Sequence, residues 1–282
     1  MNTGATRSVF VISDLHLGGV YGKNDNARGF RMITHVEDLA GFVQTLAQTP
    51  SNGRKVELII NGDMVDFLAE KDEAPPYWSP FTADPQLACA KLQAIADRDR
   101  PFFDALGALL RSGHRLTILL GNHDIELALP PVRQKLKKII GVAPNHDFEF
   151  ICNGEAYVVG DALIEHGNRY DGWNVVSYDR LRRVCSLVSR RQPIPEEYEF
   201  DPPAGSKMVC WVINTIKEDY KFIDLLKPEK EIAIPVLLAK RFWIPCPRRR
   251  HRLPSAAIFR PPMWWIAHWV WRSSSLRTTI RM

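Results

Sequence analysis

Apolar residues in this chain follow two rhythms. Short runs rich in Val, Ile and Leu at 9–13, 56–61, 116–120 and 162–165 have the length and composition of strands, with shorter runs at 148–152 and 156–159. Between them, apolar residues recur at helical spacing over 35–48 and 86–111, the second interrupted at Arg100-Pro101, and Pro130-Pro131 opens a helix through 138. Strand and helix therefore alternate as far as Leu136, an α/β pattern. Asn153-Gly154 reads as a turn joining the runs 148–152 and 156–159. From 173 to 242 the rhythm becomes helical throughout, first with Val175, Leu181 and Val184, then with Met208, Trp211, Val212 and Ile216. A Pro-rich joint at 193–203 separates the two halves.

Polar clusters close four of the strand-like runs: Asp14-Leu15-His16, Gly62-Asp63-Met64-Val65-Asp66, Gly121-Asn122-His123-Asp124 and His166-Gly167-Asn168. Strands that end at one sheet edge can aim such residues at a single point. The donors gathered there are carboxylate, imidazole and amide oxygen, with no thiolate, a set suited to divalent transition metals. On extended backbone Asp14 and His16 share a face. Gly62 lets the chain turn before Asp63, whose two oxygens can bridge two ions. Asn122 offers a carbonyl oxygen and His166 an imidazole nitrogen. Two ions about 3.5–4 Å apart form the clamp of phosphatases and nucleases, and His123 is placed to act as a general acid. Asn145-His146-Asp147 repeats part of the third cluster but follows Ala143-Pro144, so it reads as a loop. His114 belongs to a helix-ending turn at the opposite sheet edge.

These motifs resemble those of the calcineurin-like metallophosphoesterase superfamily, D-x-H, G-D-x-x-D, G-N-H-[DE], a later His and G-H-x-H. The first three match in order, His166 fits the fourth, and the resemblance covers roughly the first 175 residues. It implies a β-sandwich flanked by helices, a four-layer α-β-β-α fold. It also implies two divalent ions, Mn foremost with Fe or Zn as alternatives. Asp14, His16 and Asp63 would hold one, and Asp63, Asn122 and His166 the other. A hydroxide between the ions would attack phosphorus, with His123 assisting the leaving group and Asp124 orienting His123. Beyond His166, Asn168 and Arg169 are candidate phosphate-binding residues.

The closing G-H-x-H is absent, which leaves each ion one ligand short. Water, His146 or His268 are the candidates to fill the gap. Composition changes in the same part of the chain. Residues 232–282 hold ten Lys or Arg and no Asp or Glu, so the first 231 carry 27 basic against 32 acidic side chains. Five of the eight tryptophans also lie in that tail, a break that marks a segment under different constraints. Three readings follow: a basic aromatic arm for membrane surface or nucleic acid, a non-native end from a shifted frame or truncated gene, or an ordinary basic extension. The functional alternatives are an impaired metallophosphoesterase-like protein or a nuclease of the same fold.

Domains are expected at 1–172 (core), 173–244 (helical insertion or cap) and 245–282 (tail). The loop 70–85, around Tyr77-Trp78, is a candidate rim of the cleft. Met1–Ser8 shows no signal-peptide pattern, and the apolar run 263–271 is too short to span a bilayer. Five scattered cysteines without C-x-x-C suggest reduced thiols and a cytoplasmic protein, with peripheral membrane contact as an option. Superfamily substrates include phosphoproteins, nucleotides, cyclic diesters, DNA and lipid-sugar pyrophosphates. The helical segment and aromatic tail lean toward an amphipathic phosphorylated substrate.

Overall fold

Strand β2 (Val56–Asn61) is buried along five of its six residues, as a central strand covered on both faces must be. The computed structural model, which describes residues 7–19, 30–50, 55–73 and 76–219, places it between β1 (Ser8–Ile12) and β3 (Arg115–Leu119). With β4 (Asp147–Ile151) beside β3, these form a parallel sheet of order β1-β2-β3-β4. Parallel neighbours need crossovers. These are α1 (Val36–Ala47), the pair α2 (Pro85–Arg98) and α3 (Arg100–Arg111), and α4 (Pro130–Ile140). The chain is thus a mixed α/β protein, a parallel four-stranded sheet flanked by helices.

Local chemistry sets the helix ends. Asp84 caps α2 by accepting from the N–H groups of Gln86 (2.8 Å) and Leu87 (3.4 Å), with Pro85 in the first turn. The expected interruption is a full break. Asp99 N–H closes α2 on Ile95 O, and Pro101, which has no N–H to give, sits in the first turn of α3. Helix α4 ends on Gly141 in left-handed backbone, φ +76°.

One sheet face carries the apolar core. Leu58, Ile60, Leu116 and Ile118 pack with Val43 of α1, Leu92 of α2 and Phe103 and Leu106 of α3, all buried. Truncating such a side chain to Ala costs about 2–5 kcal/mol. On the other face Glu57 is buried and accepts hydrogen bonds from Arg7 (3.0 Å), Arg115 (3.0 Å), Thr117 (2.9 Å) and Tyr157 (2.7 Å). Those bonds outweigh the cost of burial and hold the Glu57 carboxyl below its usual range.

Tyr157 begins β5 (Tyr157–Val159), which pairs antiparallel with β6 (Ala162–Ile164) in a separate two-stranded sheet. The runs at 148–152 and 156–159 are therefore not hairpin partners. Arg115 of β3 holds β4 alongside itself through Asp147 (2.6 Å) and Glu149, while Tyr157 ties β5 over the sheet face. The Asn153-Gly154 turn carries the chain from one sheet to the other.

Helix α5 (Tyr178–Ser189) buries Leu181 and Val184. Then α6 (Ala204–Met208), a π-helical turn at Val209–Ile213 and α7 (Asn214–Asp219) run on as one helical segment. The π turn adds a residue to the repeat. Cys210, Val212, Ile213 and Ile216 face inward, whereas Trp211, expected on the buried face, is 44% exposed. Val175 also lies outside any helix and is exposed. The rest of the helical pattern expected as far as 242 lies outside the described residues. Among the described residues no helix is long and apolar enough to cross a membrane.

Candidate metal centre

The loops that follow β1, β2, β3 and β6 converge on one cleft of about 790 Å³, lined by Asp14, His16, Asp63, Asn122, His123 and His166. The first two loops are stitched together by their backbones. His16 N–H donates to Asp63 O (2.9 Å), Leu17 N–H to Met64 O (3.0 Å) and Asp66 N–H back to Leu17 O (2.8 Å). This pairing needs unusual dihedrals. Asp14, His16 and Asp63 all have positive φ, +54°, +46° and +51°. The extended backbone expected for Asp14-x-His16 is thus replaced by left-handed residues flanking a buried Leu15, and both polar side chains still reach the cleft. Left-handed backbone at a non-glycine residue costs about 1–3 kcal/mol and collects at functional sites.

Asp63 is the centre of the arrangement and is 3% exposed. Its Oδ1 accepts the backbone N–H of His123 (2.8 Å). Its Oδ2 lies 3.3 Å from His166 Nε2 and 3.8 Å from His16 Nε2. Two glycines make room. A Cβ on Gly121 would collide with Asp63 Oδ1, and one on Gly62 with the His166 ring. Burial alone would raise the Asp63 pKa, but the His166 hydrogen bond and the three nearby imidazoles bring it below the usual value.

A second carboxylate, Asp66, lies behind the imidazoles. Its Oδ2 meets Nδ1 of both His16 (3.1 Å) and His123 (3.2 Å), and its Oδ1 accepts from Ala69 N–H. Against the upward pull of burial, His123 and His16 hold Asp66 well below the ordinary carboxylate range. In return, despite burial, Asp66's charge and hydrogen bond push His123 up to about 9. Asp66, rather than Asp124, is therefore the partner that orients His123. Asp124 instead accepts the backbone N–H groups of Gly121 (2.7 Å) and Met64 (2.9 Å), locking the third loop to the second. Burial, then the charge on Asp63, pushes Asp124 up to about 7.

The donor set fits a divalent cation. His166 Nδ1 lies 2.9 Å from Asn61 O, so its N–H is committed there and the lone pair sits on Nε2. That nitrogen faces Asn122 Oδ1 at 3.2 Å and Asp63 Oδ2 at 3.3 Å. Three electron-rich atoms converge, an arrangement that calls for a positive charge between them. When no cation is bound a proton on Nε2 takes that place: burial opposes protonation of His166, but the hydrogen bond to Asp63 and its charge prevail and raise the pKa to about 9, and a cation would displace that proton. Two groups have mutually close ligand atoms, His16 with Asp63 and His123, and Asp14 with Asp63 and His166. They share Asp63.

The calcineurin-like phosphoesterase family profile matches residues 7–204, which is most of the chain. The chain belongs to the calcineurin-like phosphoesterase family. No curated protein and no solved structure matches it. As a calcineurin-like phosphoesterase it is of a hydrolase family that typically binds divalent metals and acts on phosphorylated substrates.

Other expected positions in this calcineurin-like phosphoesterase separate clearly. Asn168 is buried, lines the cleft and donates to Asn174 O (3.3 Å). Arg169 turns away, its guanidinium bonded to Gly154 O and 3.5 Å from Glu165. His114 accepts from Val56 N–H at the far sheet edge. His146 accepts from Ala143 N–H before β4, at the end remote from the motifs, and so does not supply a ligand. His268 lies outside the described residues. Trp78, expected at the rim, is buried and stacks on Phe30, centroids 5.5 Å apart, beside Cys210. It supports the segment 204–219 from behind.

Two elements of the site had little or no sequence signal. Asp66 sits in the G-D-x-x-D motif, but its contact with two imidazoles is visible only in three dimensions. Another wall of the cleft, with Met32, Trp173, Met208, Val209, Ile213 and Lys217, comes from segments that carry no motif.

Proposed function

We propose that the protein is a metal-dependent phosphoesterase hydrolysing a phosphate ester or pyrophosphate. The reading is carried by Asp63 Oδ2, approached from two sides by His16 and His166 imidazole nitrogens. Asp14, His16 and Asp63 would hold one ion, and Asp63, Asn122 and His166 a second, Mn foremost. Bound there, divalent ions supply an activated water nucleophile and neutralise charge on the phosphoryl oxygens. Asp66 takes the Nδ1 side of His123, which leaves Nε2 to protonate the departing oxygen. The charge and hydrogen bond of Asp66, working against burial, favour the protonated His123 that this role needs. Asp124 keeps Asn122 and His123 in place through the Gly121 and Met64 amides. The proposed domains are a core at 1–172, a four-layer sandwich with β5–β6 as part of its second sheet, and a helical cap at 173–244. We place the protein in the cytoplasm, where its free thiols would persist.

A weakly active relative is the second reading, favoured by the three protein donors each ion would find among the described residues. Three ligands plus water still suit a catalytic zinc-type site. The test is Mn²⁺ titration of chelator-treated protein, read by thermal unfolding and by turnover of bis(p-nitrophenyl) phosphate. Saturating metal at 100 times its Kd should stabilise the fold by about 2.7 kcal/mol. Asp63→Ala should abolish both the stabilisation and the turnover. Stabilisation without Asp63-dependent turnover of this diester, pyrophosphate or nucleotides would select the silent relative.

A further inference from the structure

The cleft has a second wall of a different chemistry. Besides the carboxylates and imidazoles, the cleft is lined by Met32, Met208, Val209, Ile213 and Trp173, with Lys217, Asp171 and Asn174 as polar members. Trp173 is 44% exposed, yet its backbone is held in place. Asp171 accepts from the Trp173 N–H (2.9 Å) and from the Asn174 side chain (2.8 Å), and Trp173 O accepts from Gly205 N–H at the start of α6 (2.7 Å). A large apolar side chain held on a tied-down turn and left open to a polar cleft contributes little to the core. Its backbone is already ordered, so binding there would cost little loop entropy.

The π turn supports the same conclusion. Within the π turn Val209 and the buried Ile213 line the cleft, while Cys210 packs with Leu68 and Trp78. The segment is braced by the buried bond from Asn214 to Leu68 O (2.7 Å) and by Lys71 to Glu218 (2.5 Å). Four aliphatic or thioether side chains outnumber the single aromatic, and methionines adapt to flexible chains. At about 790 Å³ the space greatly exceeds a phosphate and falls in the range that encloses whole organic ligands.

We infer that the substrate is a phosphoester carrying an aliphatic chain, with the phosphoryl group at Asp63 and the chain on the Trp173–Met208–Val209–Ile213 wall, an inference that rests on the phosphoesterase reading. The experiment uses the full chain with Mn²⁺ and alkyl p-nitrophenyl phosphates from methyl to octyl, below their micellar concentrations. One leaving group serves throughout, so only the chain varies. kcat/KM should rise about two- to fourfold per added methylene until the wall is covered. Trp173→Ala and Met208→Glu, at partly exposed positions, should flatten that slope. Calorimetry with methyl- and octylphosphonate supplies a readout that needs no turnover, with octylphosphonate binding tighter and the preference lost in Met208→Glu. Turnover independent of chain length, with equal phosphonate affinities, overturns the inference and leaves the phosphoesterase reading intact. Absence of turnover with a retained octylphosphonate preference removes that reading and keeps the apolar site.

Discussion

The two walls of the cleft are built on opposite principles. The metal wall comes from loops at strand ends, with three left-handed non-glycine residues and carboxylates buried among imidazoles. Four of its groups are held by others, Asp63 by the His123 amide, His166 by Asn61 and the His16 and His123 rings by Asp66. The other wall is mainly apolar, with Met32, Trp173, Met208, Val209 and Ile213 lining it and Asp171, Asn174 and Lys217 as its polar members. One wall suits fixed charge, the other a variable surface. Reaction type would then be set by the first and substrate choice by the second.

The sharpest way to break this contrast is to loosen the metal wall without touching the other. Asp66→Asn keeps the shape but removes the charge shared by His16 and His123. Turnover should fall about 10–100-fold, the usual cost of losing a group that orients ligands. Without that charge the His123 pKa moves down from about 9, and the alkaline limb of the rate profile should shift to lower pH. The chain-length dependence should survive. An Asp66→Asn enzyme with unchanged rate and pH profile would show that the imidazoles need no such support.

The walls also differ in how far they could be read from sequence. Strand bounds fell within one residue for β1–β4, because short β-branched runs between helices have few alternative structures. The motif residues were legible because strand ends at one edge must converge, and Asp14, His16, Asp63, Asn122, His123 and His166 line one cleft. What spacing could not supply was partnership. His123 pairs with Asp66 across 57 positions, and nothing local favours it over the adjacent Asp124. The apolar wall was legible only in outline, as a helical insertion or cap, and not in which of its side chains line the cleft. A 3.6-residue repeat assumes a regular helix, whereas across the π turn Trp211 is exposed and Val209 and Ile213 line the cleft.

Glu126 probes the seam between the walls. It is buried, accepts from Thr82 N–H (3.1 Å), and feels the charges of Lys91 and Asp124. Burial pushes its pKa to about 8, from 4.5 in the unfolded chain. Between those values the folded state binds more protons than the unfolded one, so its contribution to stability is lost as pH rises from about 4.5 to 8. Glu126→Gln keeps the acceptor and removes the titration. Its stability advantage over the natural protein should grow from pH 5 to pH 8, read as urea midpoints at each pH. Parallel pH curves for the two proteins would place the ionisation outside the folded-state balance.

The smallest expected effect concerns Arg169, a candidate phosphate contact by its guanidinium and its place just beyond His166. Its sequence neighbour Asn168 lines the cleft, whereas the Arg169 guanidinium is engaged by Gly154 O and Glu165 in a separate small recess near Tyr178. A partly exposed ion pair of this kind is worth about 0–1 kcal/mol. Arg169→Ala should therefore change kcat/KM by less than about twofold and leave the chain-length slope unaltered. Asn168→Ala, which removes a donor bonded to Asn174 O beneath the Trp173 turn, should reduce the slope because that turn loses a support. A tenfold fall in kcat/KM for Arg169→Ala would mean that the side chain swings to the substrate during turnover, and the metal wall would then have to include it.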